Sequence, residues 1–312
     1  MIWRRALLPL LVLTWAVSWP VIKVGVGEVP PLWFGCLRYL IAVACLFLFV
    51  ALRNELVLPP RQDWPLIAVS GALQLAAYSA LTALALTVLP PGRASVLAFS
   101  TPIWVVPLAA FWLGEGLSVA GLIGVALGLA GVAAIAAPSL HPNGARELLS
   151  YGLLLGAAAA WAVSIVFVRA HRFTASALAL APWQMLLAAV LLAPFAFLVE
   201  GPPPAINQRG LVALAYVGPV ATAFAYWAVV EAGRHFRATT ISMALLATPS
   251  VGILVSAITL GEAIDGSLLG GVILIGVGIR LATMVAASPA RTGGKAAAAV
   301  SPIPSSSGPK SR

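Results

Sequence analysis

The residues best suited to recognising a small molecule fall on two evenly spaced stripes. Trp15, Trp19 and Lys23 follow i, i+4, i+8 spacing, which sets two indoles and an ammonium along one helix face. Gln74, Tyr78 and Thr82 repeat that spacing with an amide, a phenol and a hydroxyl. Arg38 stands alone about seven residues, or roughly 10 Å of helical rise, inside another apolar run. Ionisable groups in such runs are costly and face a partner or a watery cavity. One reading is an aromatic-walled pocket whose Lys and Arg favour a carboxylate or phosphate. The other has Lys23 snorkelling to an interface lined with Trp, and Arg38 bonding helix-end carbonyls or Glu28. The polar stripe then serves neighbouring helices.

Both patterns recur later in the chain. Trp15-Ala16-Val17-Ser18 returns as Trp161-Ala162-Val163-Ser164, and eight residues after each Trp stands a base, Lys23 and Arg169. Arg38 and Gln184 each follow their Trp by 23 residues. Tyr78 has a counterpart in Tyr226, flanked by Thr222 and Val230 at the same helical spacing. Thr101-Pro102 and Thr248-Pro249 lead at equal intervals to Leu-Gly-Glu, ending at Glu115 and Glu262. The candidate substrate-binding set is Trp15, Trp19, Lys23, Arg38, Gln74, Tyr78, Trp161, Gln184, Thr222 and Tyr226. Pro20, Pro102 and Pro249 each free a backbone carbonyl and are candidate hinges, or static kinks that shape a cavity. Glu115 and Glu262 are expected to serve the helices that follow them, with Ser118 and Ser267 as N-caps. Arg169 is expected to be an interface anchor.

The elements that hold these residues must lie in a membrane. Of 312 residues, 61% are hydrophobic and 9% charged, against about 25% charged in an ordinary soluble domain. That balance excludes soluble, disordered, collagen-like and disulfide-stapled classes. The apolar runs approach 20 residues, so the spanning element is a helix rather than a barrel strand. Ten spans are expected, at 6–26, 32–52, 64–88, 94–113, 118–137, 149–169, 176–199, 210–230, 238–260 and 267–287. The repeat holds five spans, an odd number, so its copies enter the membrane in opposite senses. Such inverted repeats accompany alternating-access transport around a midplane site. The fold class is therefore an all-α membrane protein with ten transmembrane helices in two inverted five-helix repeats.

Orientation follows from the bases. Arg4, Arg5, Arg53, Arg61, Arg169, Arg172, Arg234, Arg237, Arg291, Lys295, Lys310 and Arg312 fall on one side, and only Arg93, Arg146 and Arg209 on the other. The positive-inside rule places both termini in the cytoplasm. The net charge of +9 then records topology, and nucleic acid is not an expected partner. Gly121, Gly124, Gly128 and Gly131, with Gly270, Gly271 and Gly278, make smooth faces for close helix packing, or for a homodimer contact. Cys36 and Cys45 fall on opposite faces of one helix and cannot pair.

No Asp or Glu lies deep in a span, so proton coupling is unsupported. There is no phosphate-binding G-x-x-x-x-G-K loop, zinc spacing or G-x-S-x-G elbow. The expectation is a non-enzyme without cofactor or metal, whose partners are a small-molecule substrate and the lipid bilayer.

Two five-span halves, each with W-A-x-x near its start and T-P…L-G-E at its fourth-to-fifth hairpin, resemble the ten-span EamA branch of the drug/metabolite transporter superfamily. The resemblance covers residues 6 to about 287. It implies a plasma-membrane carrier of small metabolites, often an exporter of amino acids or related compounds. The expected division is a first repeat over 1–140, a second over 141–287 and a disordered cytoplasmic tail over 288–312. The expected function is secondary export of a small metabolite, an amino acid or related compound, by alternating access. The alternatives are a drug-efflux carrier and a non-transporting, lipid-handling membrane subunit.

Overall fold

The computed structural model describes residues 2–116, 118–140, 144–236 and 238–286. The expected tail, 288–312, lies outside them, as do the bases expected at 237, 291, 295, 310 and 312.

Among the described residues there are ten successive helical passes and no strand. They are α1 (Ile2–Glu28), α2 (Pro31–Leu52), α3 (Arg61–Val88), α4 (Pro91–Leu113), α5 (Val119–Ala136), α6 (Ala145–Ala170), α7 (Ala177–Glu200), α8 (Gln208–His235), α9 (Ala238–Leu260) and α10 (Gly266–Ala286). The first eight are long and apolar enough to cross a bilayer, and α9 and α10 contain shorter apolar stretches, Ala247–Leu260 and Gly266–Leu281. Proline and glycine punctuate the passes. Pro31 and Pro91 open α2 and α4, where a missing N–H costs nothing. Gly114 and Gly261, each at φ 67°, follow α4 and α9 in the left-handed turn that favours glycine.

One end of the bundle carries Glu115 and the other Glu262, and the passes run alternately between them. Helices from opposite halves of the chain interlock. α2 packs along α7, α1 lies against α8 and α9, and α6 lies against α3 and α4. α5 and α10 meet on their glycine faces. A Cβ on Gly131 would stand 2.7 Å from the Gly271 carbonyl oxygen, and one on Gly278 would stand 2.5 Å from that of Gly124. Gly124, Gly128, Gly131, Gly271 and Gly278 of the expected smooth faces are thus pressed together within one chain, whereas a Cβ on Gly270 would meet nothing within 4 Å.

Three passes depart from a plain α-helix. Ser70–Ala77 in α3 and Val217–Phe224 in α8 are wound as π-helix, directly before Tyr78 and one residue before Tyr226. α4 breaks at Phe99 and Ser100, so Pro102 stands in the first turn of the resumed helix Thr101–Leu113. Pro20 and Pro249, by contrast, lie within unbroken helices.

Candidate functional site

The two π-helical stretches sit where the halves meet. A π-turn spreads one extra residue over the turn and re-aims carbonyls that an α-helix would use internally. Side chains from neighbouring helices take two of them up. Trp15 Nε1 on α1 donates to the Ala221 carbonyl at 3.2 Å, and the Tyr39 hydroxyl on α2 donates to that of Leu75 at 3.1 Å. Thr222 Oγ1 donates to the Val217 carbonyl of its own stretch at 2.7 Å.

Between α3, α6, α7 and α8, toward the Glu115 end, lies a cavity of about 110 Å³. Ser70, Gln74, Gln184 and Tyr226 supply its polar lining, and Leu66, Val168, Phe173 and Ala177 the rest. Ser164 Oγ on α6 stands 3.2 Å from Gln74 Oε1 and 3.3 Å from Ser70 Oγ, and the Tyr226 hydroxyl donates to Gln184 Oε1 at 3.5 Å. Three candidate residues, Gln74 from the polar stripe and Gln184 and Tyr226 from the repeat, therefore share one cavity. Every polar group lining it is neutral.

An aromatic chain runs beside it. Tyr78 meets Trp161 edge-on at 5.1 Å, Trp161 meets Phe99 at 6.3 Å, and Phe99 meets Trp19 at 6.4 Å. Phe99 belongs to the break in α4, so a change at that break would move the middle of the chain. Arg38 Nη2 donates to the Tyr39 hydroxyl at 3.2 Å, and its guanidinium stands 4.7 Å from that ring's centre. Arg38 Nε is buried and has no hydrogen-bond partner. Glu28, the acidic partner considered for Arg38, instead meets Asn207 and Arg209.

The stripe of Trp15, Trp19 and Lys23 is not one pocket wall. Trp15 is spent on α8, Trp19 is buried against Phe99, and Lys23 stands at the Glu262 end. There Lys23 Nζ donates to the Leu86 and Thr87 carbonyls at 2.7 and 3.3 Å, at the C-terminus of α3. Glu262 takes up the N-terminus of α4, accepting from Gly92 N at 2.7 Å and Arg93 N at 3.1 Å. This corrects the expectation that Glu262 serves α10. The cap of α10 is Asp265, which accepts from Leu268 N at 2.9 Å and from the Ser267 hydroxyl at 2.6 Å. Asp265 also pairs with Arg93. Ser118 does cap α5, accepting from Gly121 N at 3.0 Å. Burial pushes the Glu262 carboxyl up from its ordinary value, opposed by the Gly92 and Arg93 N–H groups. The Ser267 hydroxyl, then the Leu268 N–H and Arg93, hold the Asp265 carboxyl down.

At the opposite end Glu115 pairs with Arg169, the base related by repeat to Lys23. Arg169 is thus an ion-pair partner of Glu115 rather than a lone anchor. Sequence reasoning passed over Tyr39, Ser70, Phe99 and Ser164. Ser164 alone carried a signal, as the last residue of the recurring Trp-Ala-Val-Ser.

The sequence pattern described as the EamA-like transporter family matches the chain twice, over residues 5–137 and 148–284. "Uncharacterized transporter YvbV" of Bacillus subtilis is 29% identical, over 86% of this chain and 88% of that protein. A Salmonella typhimurium protein named "Probable amino-acid metabolite efflux pump" is 28% identical, over 86% and 91%. A Streptantibioticus cattleyicolor protein named "Probable terminal-alkyne amino-acid exporter" is 32% identical, again over 86% and 91%. One solved crystal structure superposes with a TM-score of 0.61 over 90% of this chain and 98% of its own, at 24% identity, a likeness of fold. Ten helical passes, two matched copies of one pattern and relatives named as transporters agree: the chain is a multi-pass membrane transporter of the EamA-like transporter family.

Proposed function

We propose that this transporter exports an amino acid or a closely related small metabolite across the plasma membrane, with both termini in the cytoplasm. Residues 1–140 and 141–287 form the two inverted halves, which rock about the cavity of Gln74, Gln184 and Tyr226. The observation that carries the reading is the meeting of residues from both halves on that one cavity, Gln74 marked beforehand by its helical stripe and Gln184 and Tyr226 by the repeat. Two relatives named for amino-acid export support the substrate class.

The cavity of about 110 Å³ is smaller than the ~300–1,000 Å³ of a typical ligand pocket. A metabolite therefore enters only if the helices around it separate. The π-helical stretches and the break in α4 are where the backbone is least committed to one winding, and Ser70 and Gln74 of the first stretch line the cavity. Amides and hydroxyls both donate and accept, so they suit an amino acid's polar groups without demanding net charge. Arg38 lies outside the cavity's lining, and its buried, unused Nε becomes a donor for a carboxylate once the helices separate.

The test is export of radiolabelled amino acids from loaded cells or proteoliposomes. Gln184→Ala should lower transport about tenfold, the scale of one lost hydrogen bond to a polar substrate, without lowering membrane expression. Arg38→Gln should do the same for carboxylate-bearing substrates and spare their amides. Wild-type kinetics in both variants would remove these residues from the site. Export confined to hydrophobic cations would overturn the substrate class.

A further inference from the structure

The Glu262 end holds a second and larger cavity, of about 320 Å³, separate from the one around Gln184. Lys23, Arg93 and Glu262 bring charge to it, and Val88, Pro90, Pro91, Leu260 and Ala263 an apolar wall. Among the described residues no ion pair within 4.0 Å joins Lys23 to Glu262, although the two face one cavity. Each is held apart by backbone. The ammonium sits on the terminal carbonyls of α3, and the carboxylate on the first N–H groups of α4. Helix polarity reinforces that separation, since a cation is favoured at a C-terminus and an anion at an N-terminus.

Arg93 does not upset the balance, because its guanidinium pairs with Asp265 and donates to the Ile135 carbonyl at 2.9 Å. One positive and one negative group are left facing the cavity. Both have bonding capacity in reserve. An ammonium has three donors and Lys23 has placed two. A carboxylate has about four lone-pair positions, and Glu262 has filled two. We propose that this cavity is a second binding site, for a zwitterion whose carboxylate meets Lys23 and whose ammonium meets Glu262, with an apolar side chain against Leu260 and Val88. A singly charged molecule would leave one of the two protein charges unmatched. As a station for the exported molecule the site rests on the amino-acid reading above. Its charge pattern stands without it.

The experiment reads the cavity directly. Ala263→Cys is introduced into the full chain with Cys36→Ala and Cys45→Ala, and the purified protein is labelled with a maleimide. Millimolar phenylalanine should slow labelling about fivefold, as partial occupancy of a weak site predicts, whereas phenylalaninamide and N-acetylphenylalanine should have little effect. That comparison needs no further mutation and is immune to misfolding. Lys23→Met and Glu262→Gln should each abolish protection, and Gln184→Ala should retain it. Equal protection by all three probes, protection by none, or protection that survives Lys23→Met would overturn the proposal. Phenylalanine export measured in parallel keeps the two readings apart. Export without protection defeats this site alone. Protection without export of any amino acid upholds the site and defeats the proposed substrate class.

Discussion

Trp15 illustrates how a residue with the right chemistry can be committed elsewhere. Its spacing from Lys23 suggested a pocket wall, yet its single donor is placed on a carbonyl of α8, linking the first helix of the chain to a π-helical stretch of the other half. Trp15→Phe should leave that carbonyl without its partner and lower stability by about 1 kcal/mol, read as a lower melting midpoint in detergent. An unchanged midpoint would mean that water or a hydroxyl replaces the indole. Spacing can put residues on one stripe of a helix, but it cannot say which neighbour faces each turn. For that reason Gln74, marked by its helical stripe, and Gln184 and Tyr226, marked by the repeat, were legible one by one but not as lining of one cavity. The repeat marks on Trp15 and Lys23 did not make them one pocket wall. Glu262 was misread for a related reason. Capping rules look a few residues along the chain, and its partners, Gly92 and Arg93, belong to the other half.

At the scale of the elements, the ten passes were legible because lipid demands about 20 apolar residues per crossing, a requirement that composition cannot hide. The π-helical stretches in α3 and α8 were not, since Gly71 in the one and Gly218-Pro219 in the other mark a weak point in a helix without saying how its backbone is rewound. The glycine faces were legible, and they make a sharp prediction. Gly131→Leu should drive α5 and α10 apart, costing about 1–3 kcal/mol and lowering the yield of monodisperse protein, whereas Gly270→Leu, whose Cβ would meet nothing within 4 Å, should be tolerated. The loop between α9 and α10 carries two carboxyls of opposite behaviour. Asp265 is held down in the folded state, so its stabilisation is present above its unfolded pKa and lost as pH falls through the lowered value. Glu262 is pushed up, so its contribution is full below its unfolded pKa and fades as pH rises through the raised one. In melting scans from about pH 3 to 7, Asp265→Asn should flatten the acid side and Glu262→Gln the side above it.

For the whole molecule, the bias of basic residues predicts that reporters fused to either end report the cytoplasm. A periplasmic or extracellular signal from either fusion would overturn the proposed cytoplasmic placement of the termini. Cutting the chain at about residue 288 should leave export intact, because the helices and both cavities lie before it. Loss of flux on truncation would give the tail a role beyond linkage. The close seating of α5 on α10 bears on how the protein is made. α5 leaves the ribosome with its grooved face bare, and the helix that fills it, the last among the described residues, follows about 130 residues later. During that interval the nascent first half is an unfinished surface open to lipid, to quality-control proteases or to the wrong helix. The seam between α5 and α10 therefore closes only after α10 has been made, however early the first half is inserted.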